Sequence, residues 1–179
     1  MPRALVVAAF LAALVLPAAA QSGAAPPAAG SSVERLPALE SAILVRLNEL
    51  RAARGLPRLR VAPGLRAAAA SHSRSMLVDG FFAHESSDGT RFDSRVQRFY
   101  PSRGFEFWRV GENLAAMTGV MTAQDAVDMW LASPPHRRLL FDPTWRDAGL
   151  GALRAQSTEV FPGGGEASVV TLDFGVRRS

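Results

Sequence analysis

The sequence predicts an α+β protein built in layers, and two observations carry that expectation. Apolar residues recur at helical spacing through residues 39–131, while alternating or wholly apolar strand-like runs gather after residue 148. Helices grouped early and strands grouped late are the pattern of helices covering a sheet.

Each element has its own signal. Leu39, Ile43, Leu47 and Leu50 fall on one helical face, and Gly55 followed by Pro57 stops that helix. A second helix is expected from Pro63 to Asp79, with Leu65, Ala69, His72 and Met76 aligned and Gly80 as its C-terminal stop. The run TRFDSRVQRFY, residues 90–100, predicts a short third helix with Phe92, Val96 and Tyr100 inward. FWRVGENLA reads as a short extended piece. A fourth helix opens at Thr122, whose hydroxyl can cap while Asp125 sits three residues on. It buries Val127, Trp130 and Leu131 before Pro134 and Pro135 end it. AGLGALRA and EASVVTLDFGV, separated by the glycine-rich FPGGGEA, predict a hairpin.

The ends and the composition set the context. Residues 1–20 combine Arg3, a short apolar block and small residues at Ala18 and Ala20, the pattern of a signal peptide. The chain is therefore expected to be exported, to a periplasm or the extracellular space, with no transmembrane segment once the leader is removed. Residues 21–37 read as a disordered Pro/Gly/Ala/Ser linker, and residues 38–179 as one domain. With no cysteine, disulfides, zinc-thiolate sites and lipid-modified cysteines are excluded. Without the leader, 20 − 1 = 19 basic residues face 16 acidic ones, a mild net charge of +3. All the basic residues are arginine, which excludes lysine chemistry. Arg51, Arg54, Arg58, Arg60, Arg66 and Arg74 form an acid-free run, read either as a solvated face or as a patch for anionic envelope components. Aromatic residues are not interleaved with it, which argues against nucleic acid.

The chemistry starts from a near miss. HESSD, residues 84–88, is one letter short of the zinc-protease H-E-x-x-H, but that motif needs a helix to bring two histidines to one face. Here S-S-D-G is turn chemistry. GLGALR is half a dinucleotide-binding fingerprint with no strand-turn-helix context, and neither a G-x-S-x-G elbow nor a P-loop occurs. His72 reads as a core histidine. Trp130 is in core register, while Trp108 and Trp145 are candidates to line a pocket.

An ordered series of fragments stands out: FFAH at 81–84, RVGENLA at 109–115, AVDMWLASPPHRRLL at 126–140, AGLG at 148–151 and LDFG at 172–175. In order and spacing this series resembles the CAP superfamily (SCP domain; cysteine-rich secretory, antigen 5 and pathogenesis-related 1 proteins), in its bacterial cysteine-free branch. The resemblance runs from about Leu39 to Val176 and implies an α-β-α sandwich with a central antiparallel sheet and a large shallow cleft. It implies that His84 and Glu112 face each other in that cleft as candidate ligand-binding or catalytic residues. With His136 of SPPHR they would supply two imidazoles and one carboxylate, a set suited to Zn²⁺ or another divalent metal. The pattern departs from the eukaryotic tetrad of two His and two Glu: the segment after Trp130 reads LASPP, with Ser133 its nearest polar residue, and the late strands carry no His.

Two functions follow from the resemblance. The first is a binding module whose cleft takes a lipid, sterol-like molecule, glycan or other cell-envelope ligand. The alternative is a metal-assisted or His/Glu-based hydrolase, a peptidase or esterase. The sequence favours binding, because it shows no set of nucleophile, base and orienting residue.

Overall fold

The computed structural model describes residues 32–179; the expected signal peptide and most of the expected linker lie outside them. In chain order the elements are β1 (Val33–Arg35), α1 (Pro37–Ala52), β2 (Arg60–Val61), α2 (Pro63–Asp79), α3 (Phe92–Gln97), β3 (Phe107–Thr118), α4 (Ala123–Ala132), α5 (Pro134–Leu140), β4 (Asp147–Ala155) and β5 (Ala167–Arg178). The strands form one sheet in the order β1-β4-β5-β3, antiparallel along that path, with the two-residue β2 running parallel to β4. Among the described residues no helix is long and apolar enough to cross a membrane.

The sheet is the middle of three layers. Residues of α1, α4 and α5 (Ile43, Leu47, Val127, Trp130, Leu140) pack with Leu150, Leu172 and Phe174 on one face. On the other, α2 sets Met76 and Leu77 against Leu153 and Val169, while Leu65 and Ala68 of α2 meet Val96 of α3 and Tyr100 beyond it. The alternation of strand side chains delivers residues to opposite faces of one strand in this way. β5 carries the centre: ten of its twelve residues are buried, so it reads as an apolar run rather than an alternating one.

α2 lies unusually close to the sheet, and two glycines permit it. A Cβ at Gly149 would run into the backbone of Leu65 and Arg66, and one at Gly151 into that of Ala69 and Ala70. AGLG is therefore a packing signature. The Ser73 hydroxyl donates to Gly151 O at 2.7 Å and fixes the register of helix on strand. At its far end α2 stops on Gly80, in the left-handed conformation at φ 68°, whose N–H returns to Met76 O.

Several expectations shift. β1 and the start of α1 occupy residues 33–37, inside the segment expected to be linker, because Val33–Arg35 pairs with Leu153–Ala155 and Arg35 forms a two-pronged ion pair with the buried Glu40. The third helix is shorter than residues 90–100, and FWRVGENLA belongs to a full twelve-residue strand. Arg51, placed by sequence in the basic run, is fully buried and donates to the carbonyls of Pro57, Leu140 and Asp142, tying α1 to the end of α5.

Candidate functional site

Glu112 is delivered to the cleft by β3, on the sheet face that α2 and α3 cover. Its carboxylate accepts from two sides: His84 Nδ1–H donates to Oε1 at 2.8 Å, and Arg95 Nη2 donates to Oε2. The Glu112 side chain is 1% exposed and that of Arg95 7%, whereas His84 is 45% exposed at the mouth. A carboxylate this deep needs both oxygens matched, and here both are.

The loop that carries His84 leaves α2 at Gly80 and is pinned twice. Arg95 Nη1 donates to the carbonyl of His84 itself at 2.9 Å. His72 Nε2–H donates to Ala83 O at 2.9 Å, one residue earlier. His72 is thus a buried structural histidine, and burial lowers its pKa, keeping the ring neutral. The bond to Glu112 raises that of His84, against some desolvation, so its imidazolium outlasts the ordinary histidine range.

Two members of this cluster escape a sequence reading. Arg95 sits in a helix whose alternating charges look solvated. Asp173 interrupts the mostly apolar run VVTLDFG, and a lone acid inside that run was the available signal. It lies directly across the sheet from Glu112, is fully buried, and neither oxygen has a hydrogen-bond partner among the described residues. Burial first and the charge of Glu112 second push its pKa well up, which favours the protonated carboxyl.

His136 is placed differently from expectation. It lies in α5, where its backbone carbonyl accepts from Asn113 Nδ2 at 3.1 Å. Its ring bonds neither His84 nor Glu112 among the described residues; burial, then the charge of His84, lowers its pKa. The donor set does not fit a divalent ion. Among the described residues no three His, Asp or Glu side chains gather as a metal set, and a cation at Glu112 would have to displace both the Arg95 guanidinium and His84. Ser133 shapes the turn between α4 and α5. Trp130 and Trp145 are fully buried, their indole N–H groups donating to Leu114 O and Leu139 O. Trp108 donates to Tyr100 O.

Beside His84 and Glu112 opens a cavity of about 380 Å³, otherwise walled by Phe92, Val110, Gly111 and Leu139, with Glu85 as a second carboxylate in its lining. A three-layer α-β-α sandwich with a His–Glu pair at the mouth of an apolar cleft defines a class of domain, and the sequence comparison identifies which. Residues 44–173 match the profile of the cysteine-rich secretory protein family, CAP, and the chain belongs to that family.

Relatives agree with that placement. The Bacillus subtilis (strain 168) protein YkwD is 29% identical over 142 residues, covering 79% of this chain and 51% of that one. The membrane protein YlbC of the same organism is 28% identical over 122 residues, 68% of this chain and 34% of its own length. The chain thus spans about half or less of these curated relatives. An extracellular SCP-domain protein from Bacillus anthracis superposes with a TM-score of 0.61 at 25% identity, covering 80% of this chain and 41% of that one. An outer surface protein from Borrelia burgdorferi superposes with a TM-score of 0.64 at 21% identity, covering 82% of this chain and 100% of its own, and shares the fold.

Proposed function

We propose that this chain is an exported binding module whose His84–Glu112 cleft takes an amphipathic lipid or cell-envelope ligand and does not hydrolyse it. The burial of Glu112 carries this reading: a general base must meet the attacking water, and this carboxylate, 1% exposed, is held inside as the partner of His84 and the counter-ion of Arg95. The apolar walls at Phe92, Val110 and Leu139 offer burial to a chain or ring, and the half-exposed His84 at the mouth, its pKa raised by Glu112, offers a polar contact to a head group.

The test is displacement of a fluorescent fatty acid, cis-parinaric acid, beside hydrolysis of p-nitrophenyl esters. Saturable binding abolished by Leu139→Arg, with ester turnover no higher than in His84→Ala, is expected. Turnover that disappears with His84→Ala would make the cleft catalytic and overturn the reading.

A further inference from the structure

A larger cavity than the cleft, about 800 Å³ and open to solvent, lies on the other side of α5. The end of α1 leads to Arg54, the start of β3 supplies Arg109, α5 supplies Arg137 and Arg138, and the following loop Phe141 and Asp142. It shares no lining residue with the cleft. Four arginines face one carboxylate, a lining charge of 4 − 1 = +3.

Asp142 answers only one of them, bonding Arg109 at 2.7 Å. Arg54, Arg137 and Arg138 make no ion pair among the described residues. Unpaired arginines on a surface are usually dispersed and mobile, but Arg54 is fixed, as is the paired Arg109. The Arg54 guanidinium stacks on Phe141, 3.9 Å from the ring centroid, and its Nη1 donates to Leu50 O at 3.1 Å. Arg109 stacks on Trp145 at 4.3 Å while also donating to Thr144 Oγ1 at 2.9 Å. Stacking uses the face of the Arg54 guanidinium and leaves its remaining N–H groups for an oxyanion, and a pre-ordered fork loses less entropy on binding; the Arg109 edge is already taken by Asp142 and Thr144. Pro134, Phe141 and Pro143 add apolar surface beside the charges.

We propose that this cavity binds a small phosphorylated molecule with an apolar or ring-shaped face, its phosphate held by the Arg54, Arg137 and Arg138 forks. Guanidinium edges match phosphate oxygens in pairs, and the volume is that of a small-ligand site.

Calorimetric titration of the full chain with tripolyphosphate, at low and at physiological salt, tests this. One-to-one binding is expected, weakened at least about tenfold in Arg54→Gln/Arg137→Gln/Arg138→Gln, the loss of a single charge-assisted contact or more. A control that removes the same charge from exposed positions, Arg58→Gln/Arg74→Gln/Arg103→Gln, should keep the wild-type Kd. If the cavity triple lowers the melting temperature, Arg137→Gln/Arg138→Gln alone gives the comparison. Absence of saturable binding, or equal weakening in both triples, overturns the proposal. So does capture by phosphatidylglycerol vesicles, lost in the cavity triple, with no tripolyphosphate binding, since a membrane is then the partner.

Discussion

Glu112 holds two cations of different accessibility, buried Arg95 and half-exposed His84, and its removal affects each differently. Glu112→Gln should lower the pKa of His84, because the bond to Glu112 is the main cause of its rise; proton NMR titration of the ring reads this, and an unchanged midpoint would mean the contact is not formed in solution. Glu112→Ala leaves Arg95 charged and buried, and should cost about 3–5 kcal/mol in urea unfolding. Asp173 works against stability near neutrality. Its folded pKa is raised, so its contribution is fully present below the unfolded value of about 4 and is lost as pH rises toward the folded one. Asp173→Asn should therefore melt higher than wild type at pH 8, with the difference vanishing near about pH 4. A variant that melts lower at pH 8 would show the carboxyl to be ionised and needed. His84 and Glu112 were legible in FFAH and GEN, whereas Arg95 was not: its neighbours Arg91 and Asp93 are exposed and half-buried, and nothing in the helical pattern separates a guanidinium aimed inward from one aimed at solvent.

Elements with strong local punctuation were the readable ones. α2 begins at Pro63 and ends before Gly80 as its sequence signals require, and α4 starts from a capping box in which Thr122 and Asp125 satisfy each other's backbone N–H groups. β1 and β2 were missed because runs of three and two residues carry no alternation, and they exist only through pairing with β4. The same limit hid the role of Gly151, whose meaning is the α2 backbone above it. Gly151→Ala should destabilise by about 2–3 kcal/mol, since overpacking against backbone has no side chain to yield. Urea midpoints within error of wild type would mean that α2 lifts off the sheet at little cost.

Across the whole molecule, stability is distributed unevenly. β5 is hydrogen-bonded on both sides, by β3 and β4, and buried by helices above and below, so its amides should exchange only on global unfolding. α5 is the opposite case. Seven residues are too few to hold a helix by themselves, and what holds this one is side chains from elsewhere: Asn113 of β3 on His136 O, Trp145 on Leu139 O and Arg51 of α1 on Leu140 O. That helix is also the wall between the two cavities, with Leu139 facing the cleft and Arg137 and Arg138 the arginine-lined side. A shift of α5 would therefore alter the walls of both. Asn113→Ala removes one of the three tethers, and hydrogen exchange followed by mass spectrometry should show α5 amides exchanging severalfold faster while those of β5 are unchanged. Faster exchange in β5 as well would mean that Asn113 supports the sheet, and that α5 is no independent unit able to move between the two sites.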